Sequence, residues 1–349
     1  MRLSDAAHQA WPPFVLVTGL LLIGLVAYTD GLFERIGGSL ERLPGGPAVL
    51  FSASALVVVV VTAVLNLDTA VVFLTPVVVI AARRRGIDEQ PFLYAAVFMA
   101  NASSLYLPGS NLTNLLVLSR DPVPGGTFAA RLLAPALAVT ITTAVGLWLL
   151  FRSKLREGSR TVAHTGVPRS GRRVGILAAV AAAVLTLSLP QPALPVLGVG
   201  LAAVGIEVVR GRLQLGAVVR AIGPGFLLGL LLASVALGVL ARVWDGPAQL
   251  VAGAGRWEMA AIGALAAIVS TTCPRRCCSR PASADAVDRL EHRPEPRCDR
   301  LAVGVSLDPG ARQIGASPSI KTFSCRGLVL APVAILASLT AASVVSSPS

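Results

Sequence analysis

Charged and aromatic side chains are scarce in this 349-residue chain: Asp, Glu, Lys and Arg make up 14% of it and Phe, Trp and Tyr 5%. With 54% hydrophobic residues and a mean hydropathy of +0.73, it is too apolar for a disordered chain and argues against a soluble globular domain. Histidine occurs only at His8, His164 and His292, in tails or loops, and there is no Ser/His/Asp arrangement, HExxH helix or Gly-rich phosphate loop. The chain therefore does not read as an enzyme, and no catalytic residue or cofactor is expected. No cysteine precedes Cys273, and Cys273, Cys277 and Cys278 lack the paired C-x-x-C spacing of zinc modules, so no metal site is expected either. What the chain does have is long apolar runs carrying 33 Gly and 24 Pro, the composition of an all-α polytopic membrane protein whose helices pack through small residues. The net charge of +12 would suggest nucleic acid for a soluble domain, but the arginines sit in short loops between apolar runs. The lipid bilayer is the expected partner, nucleic acid is not, and the expected location is the cell membrane with multiple passes.

Runs able to cross or nearly cross the hydrocarbon lie at 14–29, 47–82 (two passes), 91–107, 128–151, 174–189, 192–208, 220–241, 248–270 and 327–345, which predicts nine or ten membrane segments. The basic clusters Arg83 to Arg85, Arg152 to Arg173, and Arg210, Arg212 and Arg220 are placed on the cytoplasmic side. Span parity agrees if 108–120 does not itself cross. The start, MRLSDAAHQAWPP, lacks a small-residue cleavage site, so the first span is expected to be retained, and the N-terminus lies outside the cytoplasm if 47–82 crosses twice, with only weak support from Arg35 and Arg42.

Two stretches place polar groups where lipid is expected. LNLDTAVVFLTP, residues 65–76, sets Asn66, Asp68, Thr69 and Thr75 among Val, Leu and Ala. A carboxylate there costs about 2.5 to 3.5 kcal/mol on insertion scales unless it faces a cavity or a partner. The alternative is a helix-breaking surface loop with Asp68 as the cap. MANASSLYLPGSNLTNLLVL, residues 99–118, gathers Asn101, Ser103, Ser104, Ser110, Asn111, Thr113 and Asn114 around Pro108 and Gly109. Pro-Gly breaks a helix. Unwound backbone at membrane depth is tolerated only where protein or water satisfies it, and a half-helix starting at Ser110 would aim free N–H groups into such a cavity. An external turn-rich loop also fits this composition, but leaves the apolar LLVL tail unexplained.

These two motifs, NLDTAVVFLTP followed by FMANASSLYLPGSNLTNLLVL, resemble the first half of an arsenite efflux permease of the ArsB type, within the ion-transporter superfamily that also holds sodium-coupled dicarboxylate carriers. The resemblance covers most of residues 47–270. It implies two inverted repeats, each with a hairpin and an interrupted helix, and substrate held between their loops. Asn66, Asp68 and Thr69 then fall on the first loop, and Ser110, Asn111, Thr113 and Asn114 on the second. The expected division is a tail 1–13, a first repeat 14–151, a basic cytoplasmic loop 152–173, a second half 174–270, a charged segment 271–310, and a loop with the last span 311–349.

The second repeat's motif is missing where it is due. From Thr271 to Gly315 the chain holds eight arginines, six acids and four of its five cysteines, which is not membrane sequence. Back-translation of Ser270 to Ser279, read in a shifted frame, can yield Asn-Asn-Leu-Pro-Ala-Ala-Val-Leu-Leu, parallel to the Asn66-Leu67-Asp68-Thr69-Ala70-Val71 stretch. Glu291 to Val303, in another frame, can yield Gly-Pro-Asn-Leu-Ala, parallel to Gly109-Ser110-Asn111-Leu112. The codons are free choices, but two expected motifs in the expected order make frame disruption the best account of 271–310.

Three functions compete. The first is secondary transport of arsenite or antimonite, coupled to protons. Neutral arsenite is a trihydroxide that Asn, Ser and Thr can bind without a countercharge, with Asp68 as candidate proton carrier. The second keeps the fold but carries dicarboxylates or other anions with Na+ or H+, amide oxygens and loop carbonyls holding the cation and half-helix N-termini the carboxylates. The third is a product without transport. A homodimer is compatible with the sequence.

Overall fold

The computed structural model describes residues 3–119, 123–156 and 173–243, with isolated positions beyond. Twelve α-helices follow one another among the described residues, without a strand: α1 (Leu3–Thr29), α2 (Leu32–Arg42), α3 (Pro47–Val64), α4 (Leu67–Thr69), α5 (Thr75–Arg84), α6 (Gln90–Ser103), α7 (Leu112–Leu118), α8 (Gly125–Phe151), α9 (Val174–Ser188), α10 (Ala193–Val209), α11 (Leu215–Ile222) and α12 (Pro224–Val243). A π-helical stretch, Ala70–Leu74, joins α4 to α5. Four segments are long and apolar enough to cross a membrane: Trp11–Thr29, Pro47–Val64, Gly125–Phe151 and Leu215–Ala236. Two shorter apolar helices are α9 and α10. The protein is an all-α polytopic membrane protein. Four segments of full length, rather than nine or ten, are found among the described residues; the runs at 248–270 and 327–345 and the charged segment 271–310 lie outside the described stretches.

The predicted double pass at 47–82 is a helical hairpin. α3 leaves from Gly46, the chain breaks at Leu65 and Asn66, and α4, the π stretch and α5 return. The two ends of the hairpin meet: the Arg85 guanidinium, just past α5, donates to the carbonyl of Leu43 at 3.1 Å and to that of Gly45, just before α3. Both arms are lined by α6, whose face is buried from Pro91 to Val97. α7, with seven residues, rises only about 10 Å and does not cross.

Ion pairs gather the predicted cytoplasmic clusters at one end. Arg84 pairs with Glu41 of α2 at 2.8 Å, and Arg83 with Glu89. Lys154, past the end of α8, reaches Asp88 at 2.6 Å and Gln90 at 2.7 Å. At the end of α10 the fully buried Glu207 takes Arg210 at 3.1 Å and Arg212 at 3.4 Å.

α1 is the central helix, packed on α9, α10, α11 and α12 as well as on the hairpin. Its C-terminal end holds a buried acid outside the sequence expectations. Asp30 accepts the Gly175 N–H at 2.7 Å through Oδ2, so the first turn of α9 is capped by a residue of α1's end rather than by its own N-cap, Arg173. The approach is close because Gly175 has no Cβ: one there would stand 2.4 Å from the Cα of Ala27. Replacing Asp30 by alanine removes this cap, a loss of about 0.5 to 2 kcal/mol. The midpoint of thermal unfolding in detergent is expected to fall by roughly 2 to 4 °C per kcal/mol, and a midpoint unchanged from wild type would refute the cap.

Candidate functional site

The hairpin tip is built by one side chain. Asn66 sits in extended backbone, and its Oδ1 accepts the Thr69 N–H at 2.7 Å, starting α4. Asn66 is thus the cap, and Asp68, the alternative cap, lies half-buried in the first turn, where a carboxylate complements the exposed N–H groups of a helix start. The helix then widens into the π stretch just ahead of Pro76. Proline has no N–H, and in α geometry its ring collides with the carbonyl four residues back, that of Val72; the wider turn accommodates it.

Several polar atoms of the hairpin are buried and have no hydrogen-bond partner among the described residues: Nδ2 of Asn66 and the hydroxyls of Thr69 and Thr62 towards the tip, that of Thr75 at the start of α5, and that of Ser54 about 17 Å down α3. Ser54 and Thr62 lie two turns apart along α3, below the tip. An unpaired buried polar group costs about 1 to 3 kcal/mol, so groups left open in this way are the ones a bound solute would satisfy.

The second break is held differently. α6 ends at Ser103, Pro108–Ser110 form a 3-10 turn, and the next helix begins at Leu112, not at Ser110. The cap is Asn111, whose side chain accepts the Thr113 N–H at 3.0 Å. Asn-Leu therefore opens a helix twice, at 66–67 and at 111–112. The buried Ser110 hydroxyl lies 2.5 Å from the carbonyls of both Ser104 and Leu107, between which its one proton is shared. Asn114 donates to the Ser104 carbonyl at 2.7 Å, and Asn111 to the Ser104 hydroxyl at 3.3 Å. Thr113 is exposed. Ser104, singled out in sequence only as one of many polar residues here, is the hub of this loop.

The structure thus gathers Asn66, Asp68 and Thr69 at one break, and Ser110, Asn111 and Asn114 around Ser104 at the other. Both breaks lie against α1. A Cβ at Gly24 would stand 2.5 Å from Cγ2 of Thr69, and one at Gly109 would stand 3.2 Å from Cδ1 of Leu20. Leu20 is near the middle of the Trp11–Thr29 span, about 14 Å from each end. Neither polar motif contains Lys, Arg or His, and Asp68 is the one ionisable acid in them. Because Asn111 both caps α7 and ties it to Ser104, Asn111→Ala is expected to raise the half-saturation concentration for transported solute about tenfold, the equivalent of one lost buried hydrogen-bonding group. An unchanged value would remove the second break from the site.

A helical hairpin and an interrupted helix, each opened by an asparagine and each resting on a central membrane helix, form the kind of arrangement from which transporter sites are commonly built. The chain belongs to the CitMHS family, described as citrate transporter, whose model matches residues 5–273. It is 28% identical over 150 residues to an uncharacterized transporter of Mycobacterium tuberculosis (strain ATCC 25618 / H37Rv), covering 41% of this chain and 35% of that protein. It is 26% identical over 154 residues to a 46 kDa membrane protein of Mycobacterium leprae (strain TN), covering 44% and 36%. Against an arsenical pump membrane protein of Escherichia coli it is 26% identical over 202 residues, covering 54% and 47%. The chain thus spans between a third and a half of the length of these relatives. The family is thus the citrate transporter family and not the arsenite permease type in particular, with the arsenical pump membrane protein as one relative.

Proposed function

We propose that the hairpin tip and the broken helix after α6 hold a small uncharged polyhydroxy solute, arsenous or antimonous acid, and that its efflux is coupled to protons through Asp68. The observation that carries this reading is the character of the open groups: an amide N–H and several hydroxyls, buried and unpaired, with no cation in either motif. Three hydroxyls of a neutral trihydroxide match such donors and acceptors, whereas a citrate trianion in the same place would lie in low dielectric without a countercharge.

The family's description favours a second reading, a small carboxylate carried with Na+ or H+. Everted vesicles from an arsenite-sensitive host separate the two. Uptake of radiolabelled arsenite driven by a proton gradient, with resistance of the host, is expected under the first reading. Citrate uptake without arsenite uptake would move the assignment to the second, and transport of neither would refute both. We also propose that residues 271–310 are frame-disrupted, so the assay is made on both the chain as it stands and one whose frame has been repaired.

A further inference from the structure

We propose that one face of α1, Leu16, Leu20 and Gly24, is the gauge of the transport site: it fixes how far apart the hairpin tip and the broken helix stand, and so which size of solute fits. This rests on the reading above that the two breaks bind the solute. The tip is seated on Gly24, where a Cβ would stand 2.5 Å from Cγ2 and 3.0 Å from Oγ1 of Thr69. The second break is seated one turn earlier on the same face. Around Gly109 a Cβ would meet Cδ1 of Leu20 at 3.2 Å and Cδ2 of Leu16 at 3.9 Å, with Cγ2 of Thr186 on α9 at 3.6 Å as a second wall. Residues four apart share a helix face, so Leu20 and Gly24 set the two seats about 6 Å apart along the axis. Leu16 and Leu20 are themselves buried.

A gauge must be fixed, and α1 is fixed by its other neighbours. A Cβ at Gly19 would come within 2.9 Å of the Leu197 Cα, and one at Gly200 within 2.8 Å of the Gly19 carbonyl oxygen. These are contacts of backbone on backbone between α1 and α10, and Gly175 against Ala27 adds another with α9. Close-packed backbone leaves no side chain to rearrange, so α1 cannot shift on α10 without loss of packing. The tip, by contrast, touches α1 through the Thr69 side chain. The spacing of the two breaks is therefore decided on α1, at Gly24 and Leu20, which act as positioning residues, neither placed among the solute-binding groups.

The test pairs Gly24→Ala with Thr69→Ser, which keeps the hydroxyl and removes Cγ2, the atom nearest the added methyl. In the full-length chain in detergent, Gly24→Ala is expected to lower the thermal unfolding midpoint, and the same substitution made on Thr69→Ser to lower it much less. In vesicles of the frame-repaired chain, Gly24→Ala is expected to raise the KM for arsenite about tenfold with little change in maximal rate, as crowding at one seat displaces the binding groups. The double variant should return to the KM of Thr69→Ser alone. Leu20→Ala, which opens space under Gly109, should improve antimonite relative to arsenite. A Gly24→Ala effect that is as large with Thr69→Ser as without it, or a KM indifferent to both Gly24→Ala and Leu20→Ala, would overturn the gauge. Absence of arsenite and citrate transport from every version would instead refute the functional reading, and the unfolding pair would still decide whether Gly24 seats Thr69.

Discussion

Asp68→Asn, made in a frame-repaired chain, is expected to abolish coupling to the proton gradient while the protein still inserts and accumulates in the membrane. Asp68 is the one acid within the two polar motifs. Glu41, Asp88, Glu89 and Glu207 are each paired with an arginine or lysine, Asp30 accepts a backbone N–H, and Glu34 is exposed on α2, outside both breaks. Asp68 has no basic partner among the described residues, and it stands in the first turn after Asn66, beside the unpaired hydroxyl of Thr69. Asparagine keeps the shape and the hydrogen-bonding edge but cannot take up and release a proton. The measurement is alkalinisation of the acid lumen of energised everted vesicles on addition of arsenite, as protons leave in exchange for the solute, followed with a pH-sensitive dye. Solute-driven proton movement of wild-type size and pH dependence in the mutant would sink the assignment.

The second large effect concerns residues 271–310. Frame disruption predicts that the gene between the codons for Val269 and Ala311 encodes Asn-Asn-Leu-Pro-Ala-Ala and Gly-Pro-Asn-Leu-Ala in alternative frames, without stop codons between the necessary indels. The repaired chain should then transport and the chain as it stands should not. Eight arginines lie between Thr271 and Gly315, and each would cost about 2.5 to 3.5 kcal/mol at the bilayer centre, so this segment cannot take the place of a second hairpin and broken helix. Codons that give neither motif would end the proposal, and transport by the unrepaired chain would show that one hairpin and one broken helix suffice.

Much of the helical plan is written in hydropathy, because spans in lipid are selected for exactly that. α3, α6, α8, α9, α10 and α12 fall on apolar runs predicted from the sequence, and Asn66 and Asn111 mark the two breaks because Asn competes for backbone groups and caps helices. What escaped was of two kinds. α2 is short and carries charge, so no apolar run announces it, and α11 begins five residues ahead of the run expected from 220. Asp30 and Gly24 owe their roles to partners brought in by packing, whereas Glu207 pairs with arginines close by in the chain. Gly175 is 145 residues from Asp30, and no local pattern joins them. Glu207 was the most legible of the three: an acid at the end of an apolar run, with arginines three and five positions on, already had the spacing of a capped ion pair. The start of the second half-helix was misplaced by two residues because Pro-Gly marks where a helix stops, while Asn marks where the next one begins.

The π stretch Ala70–Leu74 has a mechanical consequence for the tip. A π turn is an α-helix carrying one residue more than its hydrogen bonds require, and each residue of an α-helix accounts for about 100° of rotation. Rewinding that stretch to plain α geometry, against the collision at Pro76, would therefore swing Asn66, Asp68 and Thr69 about a quarter of a turn around the helix axis and shift them by about 1.5 Å relative to the Arg85 anchor. The arm is geared: a change of winding at five apolar residues becomes a change in which way the tip's amide and hydroxyls point.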